Sequence, residues 1–109
     1  MNDDRLYLDH ILEAADRIVT YSECGEEAFR RDLMVQDAIV RNRQVMGEAV
    51  KKVSPQTRAA HPEVPWKDVA GMRDRVVHGY FGVSLEIVWD VVQNHVPPLR
   101  DMLKRITLV

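Results

Sequence analysis

Apolar residues recur along this chain at the spacing of helices. Over residues 5–21, Leu8, Ile11, Ala15 and Ile18 fall at three- and four-residue steps, with Leu12, Ala14 and Val19 beside them. That is the single stripe of an amphipathic helix. Segment 26–53 repeats the pattern through Phe29, Leu33, Ile39, Val40, Met46, Ala49, Val50 and Val53. It reads as one long helix or as two with a break near Asp32. Ser54-Pro55 supplies an N-cap followed by proline at the first helical position, so a short turn of helix is expected over 55–60. His61-Pro62 ends it, and Val64-Pro65-Trp66 is a connector that starts another helix near Trp66.

That helix carries Val69, Met72, Val76 and Val77, and Gly79 is a natural stop. Residues 76–83 have strand propensity, but a lone strand would have no partner elsewhere, so they read as helix end plus turn. Ser84 then caps a last long helix with Leu85, Val88, Trp89, Val92 and Val96 on its apolar side. Pro97-Pro98 should kink or break it before it resumes through Leu99, Met102, Leu103 and Ile106. With no repeats, low-complexity stretches or linker, the expectation is an all-α, up-and-down four-helix bundle with a short extra helix, one domain over 1–109.

Composition narrows the class. With 46% hydrophobic and 29% charged residues, the 109-residue chain is not a disordered one. No apolar run approaches the roughly 20 residues needed to span a bilayer, and the acidic start Met1-Asn2-Asp3-Asp4 does not read as a signal peptide. Cys24 is the single cysteine, which fits a reducing cytoplasm; with four scattered histidines it speaks against a structural zinc site. The net charge of -2 argues against a generally basic nucleic-acid binder.

The charge is unevenly spread, however. Residues 1–29 carry eight acidic against two basic residues, a net of −6, whereas residues 30–75 carry ten basic against six acidic, a net of +4. Such a split allows one basic face on a protein that is acidic overall, although ordinary solvated helix faces would give the same counts. Arg41 and Arg43, which bracket Asn42, are candidates for that face.

Candidate chemistry concentrates in Arg73-Asp74-Arg75-Val76-Val77-His78-Gly79-Tyr80. Arginine is a fixed cation with a planar fork suited to phosphate, and histidine takes or gives a proton near neutral pH. Together they form a minimal kit for cleaving a phosphodiester without a metal. The imidazole handles the proton of the 2′-hydroxyl or the leaving oxygen, and the guanidinium steadies the charged phosphate.

Spacing alone leaves a structural reading open, with Arg73 in a surface ion pair and His78 a buried capping group. Five residues on an ideal helix is about 140° of rotation, so Arg73 and His78 converge only at a distorted helix end or across two copies of the chain. Asp74 and His78, four apart, would share a face. Gly47 in mid-helix marks close packing. It leaves Glu48 either aimed at a partner group or simply solvated. Trp66 and Trp89 read as core anchors rather than base-stacking platforms, and His10, His61 and His95 show no ligand spacing.

At Arg73–Tyr80 the sequence resembles the HepT family, HEPN-fold ribonuclease toxins paired with minimal nucleotidyltransferases. The family hallmark is Arg, four to six residues, then His, one residue and Tyr; here it is Arg73-x4-His78-x-Tyr80. The likeness continues through Asp37-Ala38-Ile39-Val40-Arg41, Met46-Gly47-Glu48-Ala49, the Val64-Pro65-Trp66 connector, Gly71-Met72, Tyr80-Phe81-Gly82-Val83, Val88-Trp89 and Pro97-Pro98-Leu99.

The resemblance implies an α-helical homodimer whose paired motifs meet in a cleft between subunits. His78 would serve in acid–base catalysis and Arg73 in phosphate or transition-state binding, with Asp74 and Glu48 in support. No metal and no cofactor are implied for this chain. The implied partner is a nucleotidyltransferase antitoxin that uses ATP to add AMP to Tyr80 and so silences the enzyme. The expected function is thus that of a cytoplasmic, metal-independent endoribonuclease toxin acting on RNA, plausibly tRNA. The alternative is a non-catalytic helical dimer that serves as binding partner or substrate of a nucleotidyltransferase.

Overall fold

The computed structural model describes residues 2–71 and 85–107. The first apolar stripe becomes α1 (Asn2–Tyr21), with Leu8, Ile11, Ala14, Ala15 and Ile18 all buried. A 3-10 turn (Ser22–Cys24) follows and ends at Gly25, whose φ of 93° and ψ of 164° lie in a region essentially reserved for glycine. Gly25 then starts α2 (Glu26–Arg31), its carbonyl accepting from the Phe29 N–H at 3.0 Å.

The question of one helix or two over 26–53 resolves in favour of two. Asp32 adopts an extended conformation and caps α3 (Leu33–Lys52), accepting from the backbone N–H groups of Met34 at 2.9 Å and Val35 at 3.4 Å. A carboxylate that satisfies two orphan donors makes a sharp start cheaper than a continuous helix. Gln36 secures the corner by donating to the Phe29 and Arg30 carbonyls at 2.9 and 3.1 Å.

Ser54 and Pro55 behave as expected. The Ser54 hydroxyl accepts from the Thr57 N–H, and α4 (Pro55–Ala60) follows. Next comes α5, described over 66–71, which begins at Trp66. The Trp66 indole N–H donates to the carbonyls of Arg58 at 3.1 Å and His61 at 2.9 Å, so one buried side chain holds the end of α4 and the connector together.

The last segment divides into α6 (Leu85–Asn94) and α7 (Val96–Thr107). The break falls at His95 and not within the proline pair. Pro97 and Pro98 sit in the first turn of α7, where their missing N–H groups leave no vacancy in the α7 ladder.

These helices form an all-α bundle in which α1 packs against α3 and α7, and α6 against α7. Ile11, Ile18, Ile39, Met46, Val50, Val88, Val92 and Leu103 are fully enclosed. Phe29 of α2 reaches the same core, its ring 5.1 Å from that of Trp89. Each such side chain contributes about 1.5–3 kcal/mol by burial. Exposed pairs such as Arg5–Asp9 and Arg30–Glu26 are worth about 0.3–0.5 kcal/mol each, so packing decides the fold. Short helices number more than the one expected, since α2 is separate from α3. No described helix is long and apolar enough to cross a membrane. The expectations for residues 76–83, Gly79 and Ser84 lie outside the described residues.

The acidic first segment is not uniformly solvated. Asp4 is buried, and its carboxylate accepts from the Ser54 backbone N–H at 2.9 Å and from the Ser54 and Thr57 hydroxyls. These bonds, the Ser54 hydroxyl first and the Thr57 hydroxyl next, lower its pKa from 3.8 to about 2. Asp16, further along α1, faces Arg100 of α7 at 3.8 Å.

Candidate functional site

The face that α3 turns to the bundle carries Ile39, Arg43, Met46, Gly47 and Val50, all buried. Arg43 is only 2% exposed, whereas Arg41 is exposed. Their pairing on one basic surface is therefore corrected: two residues on a helix are 200° apart, so they look in opposite directions. Arg43 occupies the core-facing stripe, at four-residue steps from Ile39 and Gly47. Neighbouring Asn42 is buried as well and returns its amide to the Ala38 carbonyl at 2.8 Å.

Opposite this face stand α5 and the α6–α7 junction. Trp66 and Val69 anchor α5 on the core side, which leaves Lys67 and Asp68 exposed. Across the junction, Val91, His95 and Leu99 follow at four-residue steps. Helical hydrogen bonds run through the break, from the His95 N–H to the Val91 carbonyl at 2.9 Å and from the Leu99 N–H to the His95 carbonyl at 3.3 Å. Those three side chains consequently share a face although two helices supply them. The imidazole Nε2 of His95 lies 3.8 Å from the Asp90 carboxylate.

Between these elements lies a pocket of about 470 Å³. Among the described residues its polar lining is Arg43, Lys67, Asp68 and His95, and its apolar lining includes Val91 and Leu99. Gly71 also contributes, two residues before Arg73 in the chain. Among the described residues, two cations and an imidazole face one carboxylate there, a balance suited to an anionic ligand that also carries hydrogen-bond donors.

Of the residues singled out from the sequence, Arg73, Asp74, His78 and Tyr80 lie outside the described residues. Glu48 is placed: it is exposed on α3, about 140° around the helix from Arg43, and does not line the pocket. The pocket brings forward residues that sequence reasoning passed over. His95 lacked ligand spacing within its own helix, and Lys67 was one charge among ten in the basic segment. A signal was available at Arg43, whose charge interrupts an apolar stripe at core register.

Comparison with known proteins agrees with the architecture. The family described as "Ribonuclease HepT-like" matches residues 11–106. The chain is 37% identical over 107 residues to a Caldanaerobacter subterraneus subsp. tengcongensis protein named as a candidate RNase, covering 97% of this chain and 96% of that one. Identity to a Thermococcus cleftensis protein named "Probable ribonuclease HepT" is 35% over 101 residues, 92% of each chain. A Methanocaldococcus jannaschii protein, also named as a candidate RNase, is 40% identical over 96 residues, 87% of this chain and 79% of its own. No solved structure matches the chain significantly.

Proposed function

The chain belongs to the HepT-like ribonuclease family, and on that premise we propose that it is the metal-independent endoribonuclease toxin of a toxin–antitoxin pair. The observation that carries this reading is Arg73-x4-His78-x-Tyr80, intact within a chain whose likeness to the family runs over residues 11–106.

The chemistry follows from the residue types. A ribose 2′-hydroxyl attacks the adjacent phosphorus as His78 takes its proton, the bond to the 5′-oxygen breaks, and that oxygen leaves protonated. The products are a 2′,3′-cyclic phosphate and a 5′-hydroxyl. Arg73 supplies a fixed positive charge to the phosphorane oxygens, where negative charge accumulates in the transition state. Homodimerisation supports this chemistry on two counts. It brings a second imidazole, so that one serves as base and the other as acid, and it removes the need for Arg73 and His78 of one chain to converge.

Silencing falls to Tyr80. Its phenol oxygen attacks the α-phosphorus of ATP in a partner nucleotidyltransferase, forming the Tyr–AMP phosphodiester and releasing pyrophosphate. A bulky anion beside the catalytic pair excludes RNA by volume and by charge. The proposed substrate is RNA, with tRNA the candidate class, and the proposed setting is the cytoplasm.

The test compares RNA cleavage in EDTA by the wild type, His78→Ala and Arg73→Ala proteins. Loss of cleavage in both variants is expected, and equal cleavage by all three overturns the assignment. Should none of them cleave while Tyr80 still acquires AMP, the chain is a transferase substrate without nuclease activity.

A further inference from the structure

The pocket between α3, α5 and the α6–α7 junction holds chemistry that the Arg73–His78 mechanism does not use. Arg43 is 2% exposed, and it stands where the helix pattern calls for an aliphatic residue. Placing a guanidinium in a core stripe costs desolvation that a hydrocarbon side chain avoids. What distinguishes the position is that the stripe opens there onto a pocket of about 470 Å³. Lys67 adds a second fixed cation from the exposed side of α5, and His95 adds an imidazole from the α6–α7 junction.

The remaining lining narrows the ligand. The volume falls within the range of about 300–1,000 Å³ that holds a small molecule, which is room for one nucleotide and too little for a duplex. Half-buried Val91, with the edge of buried Leu99 beside it, offers apolar surface to the flat face of a base. Asp68 discriminates further. Its carboxylate repels a phosphodiester oxygen, which carries no proton, and accepts from the hydroxyl or amino donors that a ribonucleoside offers.

We propose that this pocket is a ribonucleoside-monophosphate subsite that holds one nucleotide of the RNA strand, its phosphate on Arg43 and Lys67 and its base against Val91 and Leu99. The proposal rests on the ribonuclease reading above and extends it with residues outside the family motif. Gly71, two residues before Arg73, links the subsite in the chain to that motif.

Binding can be separated from catalysis. A 2′-O-methyl oligoribonucleotide lacks the attacking hydroxyl and stays intact, so its affinity for the full-length protein can be read by fluorescence anisotropy across a salt series. Lys67→Gln and Arg43→Met are expected to weaken binding severalfold and to lower the slope of log K against log salt by about 0.7 for each phosphate no longer neutralised. Lys67 is exposed, so its variant decides the matter even where Arg43→Met fails to fold, which a thermal melt reveals.

Binding and slope unchanged in Lys67→Gln overturn the proposal. AMP serves as the second probe: competition with the oligonucleotide, weakened in Lys67→Gln, supports the subsite. AMP binding that depends on Lys67 while the oligonucleotide is indifferent makes the ligand a free nucleotide and overturns the strand assignment. Failure of the ribonuclease reading shows separately, as cleavage that ignores His78.

Discussion

Asp4 and Ser54 stand fifty residues apart in the chain, and the Asp4 carboxylate accepts both the backbone N–H and the hydroxyl of Ser54. Ser54 is at the same time the cap of α4, so one carboxylate near the start of α1 fixes the turn between α3 and α4. Thr57 completes the arrangement with a third donor. This cluster ties three helices at one end of the bundle by polar groups, where the core ties them by packing.

A pH dependence follows. The folded carboxyl, lowered to about 2, holds its proton less tightly than the unfolded one at 3.8. Its contribution to stability is therefore complete above the unfolded value and is lost as pH falls from about 4 toward 2. Asp4→Asn should melt at a lower temperature than the wild type at pH 7, and the gap should close over that acid range. A gap of constant size from pH 7 to pH 2 would contradict the assignment.

Gly25 tests backbone strain. With φ at 93° and ψ at 164°, it adopts a conformation that disfavours any Cβ, although no neighbouring atom lies within 4 Å of the space a Cβ would take. Gly25→Ala should cost about 1–3 kcal/mol through the backbone alone. Urea unfolding that leaves the midpoint unchanged would refute this.

Trp66 tests the connector. Trp66→Phe keeps most of the ring and removes the N–H that serves the Arg58 and His61 carbonyls. Both carbonyls keep a backbone donor, the N–H groups of His61 and Val64, so losing the indole bonds should cost about 0.5–1.5 kcal/mol. Hydrogen exchange should quicken locally in residues 58–66, and uniform protection there would argue against the role.

For the proposed catalytic pair, removal of the imidazole in His78→Ala should slow RNA cleavage by about 10²–10⁴-fold, the usual contribution of a general acid or base. Arg73→Lys keeps the charge but loses the planar fork, so it should recover only part of the activity that Arg73→Ala loses. Full activity in Arg73→Lys would show that a point charge suffices. Mass spectrometry of protein co-expressed with a neighbouring nucleotidyltransferase should place AMP on Tyr80 and none on a Tyr80→Phe variant.

Much of this protein is legible in its linear order. The stripes of α1 and α3, the Ser54-Pro55 start of α4, the Trp66 start of α5 and the proline interruption near α7 all rest on local rules of period, cap and backbone geometry, which act within a few residues. The motif from Arg73 to Tyr80 is likewise a matter of linear order, and it suffices to point to the family. Other features depend on residues far apart in the chain, and no local rule reaches them. That Asp4 serves Ser54 rather than water, that α2 turns away from α3 so that Phe29 meets Trp89, and that Arg43 lines a pocket with Lys67 and His95 are settled by how the helices pack. The physical reason is the same in each case. Periodicity says which side of a helix is turned inward, but only the assembled bundle says which partner waits there.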